Sequence, residues 1–205
     1  LDITVNQVKT NQPVDLAVPA DVKNNPSPAV AVTSTELAPG VHYLQGGSHH
    51  SLAVEQKDHV VVIEAPLNEA RSVAVIAKVK ELIPNKPITH LINSHQHFDH
   101  SGGLRTYVDA GATIVTHELN KPFYEKAWQQ ARSISPDKLA ESKKTARFQT
   151  FKDKLVLSDG QRPIEIHSIA GNGHNDAFAL IYLPKEKILV EADAFTPQPP
   201  NAPTP

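Results

Sequence analysis

The stretch Ile88-Thr-His-Leu-Ile-Asn-Ser-His-Gln-His-Phe-Asp-His-Ser-Gly-Gly103 constrains this chain more than any other. Its first half, following Pro84 and Pro87, reads as a short buried strand over Ile88–Asn93. That strand ends in His95, His97, Asp99 and His100, and Ser101-Gly-Gly then opens a helix expected over Gly103–Ala110. Alternate residues of an extended chain share a face, so His95 and His97 point together and can grip one ion. Asp99 and His100 follow where the chain turns, so they face another way. They suit a second ion, which lies about 3.5–4 Å away in paired-metal hydrolase sites. Imidazole and carboxylate donors favour zinc, with iron or manganese as alternatives. Gly102 and Gly103 are expected to let backbone approach the ions closely and let the helix begin tightly.

The rest of the pattern supplies a sheet for that strand to join. Residues 1–35 read as an extended N-terminal segment with one plausible strand. Three strands follow, Val41–Gln45, Ser51–Glu55 and His59–Glu64, separated by Gly46-Gly47 and Gln56-Lys57-Asp58. Asn68 can cap a helix running to about Ile83, with Val73, Ile76, Val79, Leu82 and Ile83 as its apolar stripe. After a strand at Thr113–Val115, a helical pattern runs from Glu118 to about Ser142. It is broken near Ser135-Pro136, with Phe123, Tyr124, Trp128 and Leu139 as packing residues. Five more strands are expected at Phe148–Phe151, Lys154–Leu157, Ile164–Ile169, Ala177–Leu183 and Lys187–Glu191, and a Pro-rich tail at 196–205. Runs of strands with helices between them imply sheets covered by helices on their outer faces.

Composition excludes several classes. Twenty basic against 22 acidic residues, a formal charge of -2, leave no basic surplus for nucleic acid. No apolar run approaches the roughly 18 residues that span a bilayer. The chain has no Cys, which removes disulfides, thiolate ligands and a Cys nucleophile. No G-x-S-x-G occurs, so Ser94 is read as support for the motif strand.

His95-x-His97-x-Asp99-His100, before Gly-Gly, resembles the signature of the metallo-β-lactamase-fold hydrolases. "VVVIEAPL" (60–67), a helix, then "PITHLINS" (87–94) follow the family's order leading to that motif. "IHSIAGNGHNDAFALIYLP" (166–184) resembles the segment giving the next histidine, here His174. "KILVEADAF" (187–195) resembles the strand ending in the bridging aspartate, here Asp193. The resemblance covers roughly residues 35–195 and implies an α/β (α+β) fold, an αββα sandwich. The domain is placed at 36–195, with the C-terminal part of the sandwich expected to be missing.

It further implies a first ion on His95, His97 and His174, and a second on Asp99, His100 and Asp193, with Asp193 bridging. Three departures stand out. The family's further histidine, some tens of residues beyond the bridging aspartate, has no counterpart in the twelve residues after Asp193. Glu64 stands where the family commonly has Asp. "GNGHNDAF" replaces the familiar Thr-Pro-Gly. The expectation is an incomplete chain, in keeping with a start at Leu1 and no Met.

The implied activity is a metal-dependent hydrolase, with two zinc ions expected as cofactor and iron or manganese as alternatives. A metal-bound hydroxide would attack a polarised carbonyl or ester of a small-molecule substrate, such as a β-lactam, lactone or thioester. Asp99 would act as the catalytic carboxylate that orients the nucleophile and handles its proton. The alternatives are a glyoxalase-II-like thioesterase or lactonase without β-lactamase activity, and a non-catalytic metal-binding module on the same scaffold. The missing Cys argues against the subclass with a Cys ligand. His49 and His50, in the loop after Gly46-Gly47, are expected at the substrate rim or as auxiliary ligands. His42, His59, His90, His117 and His167 are read as structural, and Trp128 and Phe123 as core. Many bacterial members of the family are exported, so a periplasmic or secreted location is expected, with the cytoplasm as the alternative.

Overall fold

The computed structural model describes residues 2–13, 17–25 and 29–195; the Pro-rich tail expected at 196–205 lies outside them. After one exposed turn, α1 (Ala20–Lys23), the chain forms β1 (Thr33–Ala38), β2 (Val41–Gln45), β3 (Ser51–Glu55) and β4 (Val60–Ile63). Next come α2 (Glu69–Leu82), β5 (Ile88–Ile92), α3 (Phe98–Ser101), α4 (Leu104–Asp109) and β6 (Thr113–His117). The remainder is α5 (Asn120–Trp128), α6 (Lys138–Ser142), β7 (Arg147–Phe151), β8 (Lys154–Leu157), β9 (Ile164–Ser168), β10 (Ala179–Leu183) and β11 (Ile188–Val190). No helix among the described residues is long and apolar enough to cross a membrane.

Strands β1 to β7 form one sheet in sequence order, and β11-β10-β9-β8 form a second. The first four strands pair antiparallel through short turns; β4 to β7 pair parallel, each step crossing over through a helix. Alternation along the central strands divides the core into two layers. Val60 and Val62 of β4 pack with Leu91, Ile114, Val75, Val79 and Tyr107 on the helical side. Val61 and Ile63 face the other way and pack with Ile92, Val115, Ile164, Ile166 and Ile181 between the sheets. A strand buried on both faces must be apolar throughout, which is why β4 reads Val-Val-Val-Ile. Each such side chain contributes about 1.5–3 kcal/mol by leaving water. The layers therefore run helices, larger sheet, smaller sheet, an α/β sandwich as the sequence leads one to expect.

Two expectations about packing need correction. The buried face of α2 is Arg71, Ser72, Val75 and Val79, whereas Val73 is exposed. The other expected stripe residues face the core, Val79 and Ile83 buried and Ile76 and Leu82 packed against it, and Ser72 also turns inward, its Oγ donating to Gly103 O at 3.3 Å. Phe123 is 46% exposed, because its neighbour Tyr124 takes the inward position on α5 and stacks with Trp128 and Phe148. A third difference is small: the turn Phe98–Ser101 is helical, so α3 begins inside the histidine motif.

Candidate metal centre

Strands β4 and β5 are parallel neighbours, so the residues leaving their C-terminal ends lie side by side, where sites in such sheets collect. Glu64 leaves β4, and Asn93 to His100 leave β5. The loop they form is fixed by buried polar bonds. Asn93 N donates to Val115 O at 2.9 Å, and Asn93 Nδ2 to His100 O at 3.4 Å. Tyr124 Oη donates to Asn93 Oδ1 and to His95 O. A Cβ on Gly102 would sit 2.1 Å from Leu67 O, and one on Gly103 would sit 1.9 Å from Ser72 Oγ. The glycines thus serve close approach to the 65–72 segment, a role that the sequence does not show. Gly103 N completes that contact by donating to Ala65 O at 2.9 Å.

One group of convergent donors consists of His95, His97, His174 and Asp193. His174 arrives from the β9–β10 loop, where Asn172 Oδ1 accepts from the His174 N–H at 2.7 Å in a side-chain-closed turn. The start of β10 is tied to the motif by Ala179 N donating to Ser94 O at 3.0 Å. His174 Nε2 then lies 3.3 Å from His95 Nε2 and 3.0 Å from Asp193 Oδ2. The His97 ring centroid is 4.6 Å from those of both His95 and His174. The tautomer of His95 follows from its neighbours. Ser94 Oγ gives its only proton to Glu64 Oε2 at 3.0 Å, so it accepts from His95 Nδ1 at 3.0 Å. The Nε2 lone pair is left facing the cluster. Burial, reinforced by neighbouring His100, pushes the His95 pKa down to about 4, so the ring is neutral at pH 7, the form a ligand requires.

A second group consists of His49, Asp99 and His100. His100 Nδ1 donates to Glu64 Oε2 at 2.7 Å, which turns Nε2 outward, 3.4 Å from Asp193 Oδ2. Burial lowers the His100 pKa, but the hydrogen bond and charge of Glu64, with Asp193 and Asp99, outweigh it and raise it. Asp193 thus lies between the groups: one oxygen is near His174 and His100, the other 3.7 Å from His95 Nε2.

His49 Nε2 lies 3.3 Å from Asp99 Oδ2, inside the second group, while His50 turns away and packs edge-on against Tyr43 at 5.1 Å. The two rim histidines therefore differ in placement, which their sequence does not show. His42, His59, His90, His117 and His167 join neither group.

Two residues that hold the site were under-read or missed. Glu64, noted in the sequence only as a departure, is buried at positive φ (68°) and accepts from Ser94 N, Ser94 Oγ and His100 Nδ1. Arg71, in the first turn of α2, was not singled out. Its guanidinium donates to His49 O at 3.0 Å and Ser48 O at 3.4 Å, and a Cβ on Gly46 would stand 2.6 Å from its Nη1. The adjacent glycines at 46–47 were the only local signal, and nothing in the sequence links them to Arg71.

The donor set suits a divalent cation. His100 Nε2 and Asp193 Oδ1 are buried with no hydrogen-bond partner, which a native site seldom tolerates unless something else satisfies them. Imidazoles and carboxylates converging in this way are the ligands of zinc and similar ions. Cavities flank the cluster on two sides. One of ≈460 Å³ is walled by Leu37, Tyr43, His49 and Leu189, and one of ≈390 Å³ by His97, Phe98, Phe123 and Trp128.

Comparison with known proteins agrees with the fold and the order of these elements. No curated protein matches the chain. Among solved structures, a metallo-beta-lactamase from Pontibacter korlensis superposes with a TM-score of 0.58 at 21% identity, over 77% of this chain and 69% of that one. The DIM-1 metallo-beta-lactamase gives 0.59 at 18% identity, over 78% and 68%. A metallo-beta-lactamase from Hirschia baltica gives 0.57 at 18%, over 78% and 69%. At these identities the likeness speaks for the fold alone. The family model of the metallo-beta-lactamase superfamily matches residues 44–201, most of the chain and every strand from β3 onward, so the chain belongs to that superfamily.

Proposed function

We propose that this protein is a metal-dependent hydrolase with a binuclear, zinc-type centre, and that residues 36–195 carry its chemistry. The observation that carries the reading is Asp193, whose carboxylate lies within 3.7 Å of ring nitrogens from His95, His100 and His174. One carboxylate shared by two donor groups is the arrangement that holds a pair of ions at bridging distance. The first would be held by His95, His97 and His174, the second by Asp99 and His100, with Asp193 shared.

When bound, such ions acidify water toward neutral pH and polarise a carbonyl or ester oxygen. The chain's own residues do the rest. Glu64 and Ser94 fix the tautomers and ring orientations, so the cluster needs no reorganisation at the moment of reaction. Asp99, with its side chain about one-third exposed, faces the open side of the cluster and is the acceptor for the proton of the attacking water. The flanking walls, with Tyr43, Leu37 and Leu189 on one side and Phe98 and Phe123 on the other, suit a small substrate with apolar faces around a polar reacting bond. Lactams, lactones and thioesters meet that description.

The test is direct. Purified protein, reconstituted with zinc, iron or manganese, is assayed against a chromogenic cephalosporin, an acyl-homoserine lactone and a glutathione thioester. Hydrolysis of at least one, abolished by a chelator and by His97→Ala, is expected. Inactivity on all three with every metal would sink the catalytic reading.

A further inference from the structure

We infer that His49, from the loop between β2 and β3, is a protein ligand of the second ion, completing its coordination beside Asp99, His100 and the shared Asp193. The inference rests on the binuclear reading above and adds a ligand to it.

Three features place His49 there. The first is convergence. His49 Nε2 is 3.3 Å from Asp99 Oδ2, and its ring meets that of His100 edge-on at 5.0 Å. Each of the three residues offers a donor atom within 4.8 Å of the others'. Because Glu64 occupies His100 Nδ1, the nitrogen that faces this group is Nε2, which is buried and unpaired. Asp99, His100 and Asp193 give three protein donors; His49 makes a fourth, and zinc can expand to five-coordinate to take water or substrate as well.

The second feature is backbone strain. His49 adopts φ 54°, a left-handed conformation unfavourable for a residue with a Cβ. Such outliers persist where surrounding contacts over-determine them, commonly at ligand sites. The third is the clamp that imposes it. Arg71 is buried and donates to the carbonyls of both Ser48 and His49, through space that Gly46 leaves open by lacking a side chain. Gly47 at φ 86° bends the loop around that guanidinium. A surface loop merely rimming a cleft has no need of a buried arginine on its carbonyls. One that must hold an imidazole at a fixed position beside Asp99 does. His50, one residue on, supplies the internal contrast: the same loop points it at Tyr43 and away from the donors.

The experiment uses two readouts that do not depend on activity. In the unaltered protein, histidine modification by diethylpyrocarbonate is followed by peptide mass spectrometry with zinc and with chelator. His49 is expected to be protected at least tenfold by zinc, while His167, half-buried and outside both groups, reacts equally in the two conditions. In parallel, bound zinc per chain is measured for wild type, His50→Ala and His49→Asn. Asn is chosen because it tolerates left-handed φ, so the variant loop keeps its shape. Two ions are expected for the first two proteins, and for His49→Asn one tight ion with the second weakened at least tenfold. Two ions in wild type with His49 still reactive, or two unweakened ions in His49→Asn, would overturn the assignment alone. A wild type that binds fewer than two ions would overturn the binuclear reading, and this ligand with it.

Discussion

Glu64 Oε2 accepts from His100 Nδ1 at 2.7 Å and from Ser94 Oγ at 3.0 Å, and Ser94 Oγ in turn accepts from His95 Nδ1. One carboxylate therefore orients a histidine in each donor group. Glu64→Gln keeps the shape but sets an NH₂ against at least one of the three donors that now point at the carboxylate. Loss of outer-shell partners of this kind typically weakens metal binding about 10–100-fold. A fall of that order is expected in competition titrations against a chromophoric chelator. Zinc affinities within about twofold of wild type at both sites would remove Glu64 from its positioning role.

The close approach at Gly102 and Gly103 yields a stability prediction. Neither residue has positive φ, so the requirement is space, not dihedral freedom. A Cβ at 1.9 Å from Ser72 Oγ or 2.1 Å from Leu67 O forces α3 off the 65–72 segment. Overpacking of this kind costs about 1–3 kcal/mol and sometimes more. Urea denaturation should place Gly102→Ala at or above the upper end, because its neighbour is backbone and cannot swing aside. Gly173→Ala, with nothing within 4 Å of the new atom, should stay within about 0.5 kcal/mol.

Much of this fold was legible in the sequence because its signals are local. Strands β2, β3 and β8 fall on their expected residues, since each is an apolar or alternating run between turn residues. Asn68 caps α2 as expected, its Oδ1 accepting from Arg71 N at 3.0 Å. The residues grouped at the site were also nameable: four stand in one motif, and His174 and Asp193 follow the family's order. What the sequence hides is non-local. His49 and His50 are identical neighbours, and only the clamp from Arg71, 22 residues away from His49, separates a donor position from a packed one. The inward turn of Ser72 on α2 likewise depends on Gly103, which the helix's own periodicity cannot report.

Metal should stabilise the fold, because the candidate donors come from the β2–β3 loop, the β5 motif, the β9–β10 loop and the segment after β11. These segments converge only in the native state. A ligand at 100 times its Kd adds about 2.7 kcal/mol, and at about 2–4 °C per kcal/mol for a chain of this size Tm should rise by roughly 5–10 °C. Differential scanning fluorimetry with and without zinc reads this directly. Chelator should reverse the shift, and His97→Ala should reduce it. A Tm unmoved by millimolar zinc would argue that the donor groups hold no ion.

Away from the site, Asp137 and Arg105 form a buried two-point pair, Nε to Oδ2 at 2.5 Å and Nη2 to Oδ1 at 2.8 Å, that pins α6 to α4. Asp137 Oδ1 also caps α6 by accepting from Ala140 N at 2.9 Å. The Arg105 hydrogen bond, against the opposing effect of burial, holds the Asp137 carboxyl below its ordinary pKa. Below the unfolded value of about 3.9 the unfolded chain binds more protons than the folded one, so stability there rises with pH. The contribution is complete above about pH 5 and is lost as pH falls through the folded-state pKa. Asp137→Asn preserves a good capping residue but leaves the Arg105 charge buried and unpaired, at a cost of about 3 kcal/mol near pH 7. Urea midpoints measured from pH 3 to pH 7 should therefore show the variant's deficit shrinking toward the acid end. A deficit constant across that range would mean that the pair contributes through packing rather than charge.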